Sequence, residues 1–212
     1  MEDEKKIYKR AYQLSLFTIF YNIIEGFVSI ALGYEDQTLT LFGFGIDSFI
    51  EVMSGIGIAV MILRISRNPE SSKNKFEISA LKITGTAFYL LSIGLLAGTI
   101  LNVINGHKPE TTIWGIVISL ISIVIMTWLM MAKKKVGQKL NSQPIISDSN
   151  CTKICVYMSV VLLVSSLLYE LTGFIYADAI GALGLIYFSF NEGREAFEKA
   201  KGKVCACDEC ED

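Results

Sequence analysis

The chain reads as an all-α membrane protein with six transmembrane helices and both termini in the cytoplasm. Three observations predict this. Of its 212 residues, 52% are apolar, and the mean hydropathy is +0.47. The apolar residues gather into six long segments, and a bilayer core of ~30 Å takes about 20 residues of helix to cross. The cations are asymmetric. Lys5, Lys6, Lys9 and Arg10 precede the first segment; Arg64, Arg67, Lys73 and Lys75 follow the second; Lys133, Lys134, Lys135 and Lys139 follow the fourth; Arg194, Lys199, Lys201 and Lys203 follow the sixth. The intervening loops Gly33–Gln37, Asn105–Thr111 and Gly173–Tyr176 hold one cation, Lys108. Lysine and arginine concentrate on the cytoplasmic side of membrane proteins, so both ends lie there and the number of spans is even.

The first span is expected at Ala11–Tyr34. It is too long for a cleaved signal peptide, and Tyr21, Asn22 and Glu25 interrupt it. The second is expected at Thr38–Ile65, the third at Ile78–Ile104 and the fourth at Thr112–Met131. The fifth, Pro144–Leu171, begins before its apolar stretch because Ser142 suits an N-cap and Pro144 a first turn. The sixth, Ala177–Phe190, is short and polar at its end. Small residues, Gly43, Gly45, Ser48, Gly55 and Gly57 on the second segment and Ala177, Ala179, Gly181, Ala182 and Gly184 on the sixth, are expected helix contacts, since close approach drives association in lipid. The loops are short, the longest being Ser66–Glu77. Residues 1–200 form one transport domain, and residues 201–212 an acidic cytoplasmic tail carrying Cys205, Cys207 and Cys210.

A net charge of −2 says nothing about partners, and no nucleic-acid partner is expected. The informative charges are inside the membrane. Asp47 and Glu51 break the apolar run from Leu39 to Ile65, and a buried charge there costs a few kcal/mol or more. Their i, i+4 spacing stacks both carboxylates on one helix face. Cys151 and Cys155 repeat that spacing on the fifth segment. If the helix starts at Pro144, Cys155 lies about 16 Å in from its cytoplasmic end, a depth comparable to that of the carboxylates. A start at Ile154 would leave both cysteines in a loop. The four side chains make a candidate metal site of two oxygens and two sulfurs. That donor set suits Zn²⁺ or a softer ion, while Mg²⁺ and Ca²⁺ prefer all-oxygen sites. Asp148, Lys153, Glu25 and Asn22 are secondary polar candidates, with Lys153 free to salt-bridge Asp148 or Glu51 or to snorkel toward the cytoplasm. Glu170, near the outer end of the fifth segment, is a further polar position. Cys205, Cys207 and Cys210 are candidate soft-metal ligands, because cytosolic thiols stay reduced. The single histidine, His107, falls in an external loop and is not used.

Enzymatic readings fare worse. Gly43-Phe44-Gly45-Ile46-Asp47 resembles the Gly-x-Gly-Asp signature of intramembrane aspartyl proteases, but the spacing is off by one and no second aspartate forms a Tyr-Asp pair. The Cys151–Cys155 spacing is not the C-x-x-C of thiol oxidoreductases. The chain is expected not to be an enzyme.

Three stretches resemble the cation diffusion facilitator family of zinc and heavy-metal efflux transporters. Phe42-Gly-Phe-Gly-Ile-Asp47-Ser-Phe-Ile-Glu51 is similar to its second-helix D-x-x-x-D motif, with Glu51 at the second acidic position. Ser147-Asp148-Ser-Asn-Cys151-Thr-Lys-Ile-Cys155 is similar to its fifth-helix A-D-x-x-[HD]-x-x-x-D motif, with cysteine at both ligand positions. Tyr176-Ala-Asp178-Ala-Ile-Gly-Ala182, followed by Asn191-Glu-Gly-Arg-Glu-Ala196, is similar to its sixth helix. The resemblance implies six helices, a homodimer, and export of a divalent metal driven by proton entry. The family's usual cytoplasmic C-terminal domain is not expected here.

The sequence therefore predicts a multi-pass protein of the cytoplasmic (inner) membrane that exports transition or heavy-metal cations. Its partners would be the lipid bilayer, the cation and protons, with no resident cofactor. Thiols move the expected cargo toward Zn²⁺ or Cd²⁺, with Cu⁺ or Hg²⁺ behind because the carboxylates are hard. The alternative is a membrane metal or redox sensor that binds through the same thiols without transport.

Overall fold

In the computed structural model, residues 2–67, 75–106, 108–202, 205–206 and 209–210 are described, with the side chains of residues 2–4, 75–77, 143–144, 205–206 and 209–210 left aside. Six helices run in chain order: α1 Glu2–Glu35, α2 Leu39–Arg67, α3 Lys75–Asn105, α4 Ile113–Lys139, α5 Gln143–Thr172 and α6 Ala177–Ala200. In the tail, strand β1 Cys205–Ala206 pairs antiparallel with β2 Glu209–Cys210. Five helices, α1 to α5, are long and apolar enough to cross a membrane. The protein is an all-α, multi-pass integral membrane protein.

Its surface is inside-out relative to a water-soluble bundle. Phe20, Phe27, Leu90, Ile93 and Val124 are each more than 60% exposed, whereas Asn22, Ser29, Thr40, Ser119, Ser159 and Ser189 are fully buried. This apolar exterior over a polar interior suits a bundle surrounded by lipid, although Asn22 Oδ1, Ser29 Oγ and Ser189 Oγ have no hydrogen-bond partner among the described residues.

The helices pack as a closed ring in the order α1, α2, α3, α6, α5, α4, and α2 also touches α5 and α6 across the middle. Small residues set the closest approaches. A Cβ on Gly45 of α2 would lie 2.7 Å from the backbone nitrogen of Ile30 on α1. One on Gly193 of α6 would lie 2.9 Å from the Tyr89 ring of α3.

Two carboxylates near the outer ends hold neighbouring helix starts. Asp178 on α6 accepts the backbone N–H groups of Leu39 and Thr40, both at 2.9 Å, and so satisfies the first donors of α2. Glu170 on α5 accepts from the Thr111 hydroxyl at 2.8 Å and from the Thr112 backbone N–H at the start of α4. Glu170, read as a polar site of open role, thus has a structural one.

Helix boundaries depart from expectation mainly at the cytoplasmic side. The fourth helix does not stop at Met131. It runs on to Lys139, because Lys133 is drawn inward to Asp148 and because Val136 and Gly137 pack against α5. The sixth likewise passes Phe190 and ends at Ala200. The loop expected at Ser66–Glu77 is narrower, since α2 reaches Arg67 and α3 begins at Lys75; residues 68–74 lie outside the described residues. The fifth helix starts at Gln143, with Ser142 as N-cap and Pro144 in the first turn.

Candidate metal-transport site

Because α5 starts at Gln143, its cysteines are carried into the bundle. At 1.5 Å per residue Cys151 lies about 12 Å and Cys155 about 18 Å along the helix from that end. The second reaches Glu51. Cys155 Sγ is in hydrogen-bond contact with Glu51 Oε1, joining α5 to α2 across 104 positions of sequence. Glu51 Oε2 accepts from Asn22 Nδ2 of α1 at 2.8 Å. Asn22, a secondary candidate, therefore orients the carboxylate.

Asp47 is buried one turn outward, with 2% exposure, and its Oδ1 has no hydrogen-bond partner among the described residues. Glu51, Glu25 and Cys155 all lie within its electrostatic range. Glu25 is also buried, its Oε1 accepting from the Tyr21 hydroxyl at 2.6 Å and its Oε2 from Ser48 Oγ at 3.1 Å. Three carboxylates from α1 and α2 thus lie near one another in the interior, spread over about one helical turn.

Cys151 is turned differently. Lys199 Nζ on α6 donates to its Sγ at 2.8 Å, and the same ammonium pairs with Glu195 Oε1 at 2.7 Å. Asp148 pairs with Lys133 at 3.2 Å, and Lys133 also donates to Thr152 Oγ1 at 3.1 Å. Both side chains of that ion pair are at least nine-tenths buried. The expectation that Lys133 is a loop cation is thereby corrected. It is an interior one, because Asp148 on α5 offers it a buried counter-charge. Lys153, weighed as a partner for Asp148, holds its ammonium 5.3 Å from the centre of the Tyr157 ring.

Some of these groups meet at a cavity of about 50 Å³ to which every helix contributes: Thr18 of α1, Glu51 of α2, Phe88 of α3, Lys133 of α4, Cys151 and Cys155 of α5, and Glu192 of α6. Glu192 was not singled out from the sequence, although it falls in the stretch similar to the family's sixth helix. Asp47 does not line this cavity. Among the described residues, no three Cys, His, Asp or Glu side chains converge closely enough to hold a metal ion. Glu51 and Cys155 are brought together, Asp47 and Cys151 flank them, and Cys205, Cys207, Cys210 and His107 lie outside the described side chains.

A ring of six helices around a buried carboxylate–thiol contact defines a polytopic membrane protein with an interior polar site. The chain belongs to the cation efflux family, whose transmembrane domain matches residues 15–201. It is 27% identical over 173 residues to an uncharacterized transporter of Methanocaldococcus jannaschii, covering 79% of this chain and 60% of that protein. It is 25% identical over 185 residues to Transmembrane protein 163 of Xenopus laevis, covering 86% of this chain and 65% of that protein. The chain thus spans less than two thirds of the length of these relatives.

Proposed function

We propose that this protein exports a transition or heavy-metal cation across the membrane, in exchange for protons, through a site built from Asp47, Glu51, Cys151 and Cys155. The contact between Glu51 of α2 and Cys155 of α5 carries this reading: a hard oxygen and a soft sulfur from different helices, inside the membrane, at one cavity that all six helices line. The cargo is Zn²⁺ or Cd²⁺ first, since thiolate favours polarisable ions and carboxylate keeps Zn²⁺ competitive. Rotation of Asp47 from above and of Cys151 from the cytoplasmic side would complete a four-ligand set around the Glu51–Cys155 pair. The unpartnered Asp47 Oδ1 supports its part in that set.

Carboxylic acids and thiols lose protons when they take a metal. Metal and protons therefore compete for the same atoms, and alternating exposure of those atoms to the two sides couples their movements. Low pH on the loading side weakens binding. A homodimer is part of this proposal by family membership.

The test is uptake by proteoliposomes of Zn²⁺, Cd²⁺, Co²⁺, Mn²⁺ and Cu⁺ under an imposed pH gradient. Saturable Zn²⁺ or Cd²⁺ flux with opposite proton movement supports antiport. Tight binding with no flux of any ion supports a sensor and overturns transport.

A further inference from the structure

We propose that Lys199 is a tethered cation that holds the cytoplasmic mouth of the site, and that an incoming metal ion enters by displacing it. This inference rests on the transport-site reading above. Lys199 Nζ lies 2.8 Å from Cys151 Sγ and 2.7 Å from Glu195 Oε1, with its side chain 17% exposed. It stands where α6 is ending, and Cys151 lines the same cavity as Glu51, Cys155 and Glu192.

A sulfur and a carboxylate oxygen around one positive charge are the surroundings a soft divalent ion would choose. Here the positive charge is an ammonium of the protein itself. A metal binding Cys151 needs the sulfur electrons that the Lys199 N–H now engages. The two positive charges also repel at such short range, so they exclude one another. Lys199 is suited to exchange, because its flexible four-carbon stem can swing its charge into cytoplasmic water without moving the helix. Lys133 does not duplicate this function, since its ammonium is held by Asp148 and Thr152 rather than by a thiol, and its side chain is only 5% exposed. The consequence is a threshold: an ion gains Cys151 only if it binds sulfur more strongly than the ammonium does.

The experiment is a Cd²⁺ titration of purified full-length protein, read by the ultraviolet absorption of thiolate–Cd²⁺ bonds. All samples carry Cys205→Ser, Cys207→Ser and Cys210→Ser, so that only the membrane thiols report. Lys199→Met should lower half-saturating Cd²⁺ by about tenfold, the loss of a competitor worth ~1.4 kcal/mol. Lys199→Gln should do the same, giving a second variant should one fail to fold, and Lys199→Arg should stay near the parent. Half-saturation in Lys199→Met and Lys199→Gln equal to or above the parent's overturns the proposal. A Cys155→Ser arm separates the two claims. If it loses Cd²⁺ binding while the Lys199 variants match the parent, only the displacement mechanism fails; if it binds as the parent does, the shared site fails and takes this inference with it.

Discussion

Glu51 and Cys155 are the side chains on which this account turns, and both were visible in the sequence for one reason. A carboxylate in a run as apolar as Leu39–Ile65 needs a compensating partner, and a cysteine pair at helical spacing offered one. What the sequence could not reveal was which cations face them. Lys133 and Lys199 sit in basic runs that look like ordinary cytoplasmic flanks, and only tertiary packing turns them inward to Asp148 and Cys151. Glu192 was hidden in the same way, in a polar stretch that reads as a helix end. Two predictions belong to these residues. Asp47→Asn and Cys155→Ser should each abolish metal flux in proteoliposomes while size-exclusion profiles stay unchanged, because each removes an anionic ligand at nearly constant volume. Flux at the parent's rate would remove that residue from the site. Replacing Cys151 and Cys155 together with aspartate should weaken Cd²⁺ transport more than Mn²⁺ transport, since oxygen ligands favour the harder ion; an unchanged rank order would mean that the thiols do not set selectivity.

The helices were legible from apolar length, and their ends less so. The early start of α5 could be argued from Ser142 and Pro144, and the whole site depended on it. The extension of α4 to Lys139 could not, because its last turns are polar and are held by contacts with α5 rather than by lipid. Asp178 is a further case in which a motif residue has a role that spacing does not disclose. It caps α2 from α6, and α2 carries Asp47 and Glu51. Asp178→Ala should therefore cost about 0.5–2 kcal/mol, the usual range for a lost N-cap. It should appear as a lower unfolding temperature in detergent, partly restored by Asp178→Asn. Unchanged unfolding in Asp178→Ala would mean that the first turn of α2 finds its acceptors elsewhere.

The ring of six helices brings residues from distant parts of the chain to one cavity. Five of the helices qualify as spans by length and apolarity, and a crossing by α6 would return both ends to the same side. The lysine and arginine distribution assigns that side to the cytoplasm. Tags at the two termini should thus be protected in intact cells and labelled only after permeabilisation; labelling of either tag from outside would overturn the topology. The resulting geometry makes the central claim specific: one ion is shared by the carboxylate of α2 and the thiol of α5. X-ray absorption at the zinc edge of Zn²⁺-loaded protein lacking Cys205, Cys207 and Cys210 tests it most directly. A mixed shell is expected, with sulfur near ~2.3 Å and oxygen at about 2.0–2.2 Å, the sulfur contribution falling in Cys155→Ser and the oxygen contribution in Glu51→Gln. A shell without sulfur, or one unaltered by both substitutions, would contradict the shared site.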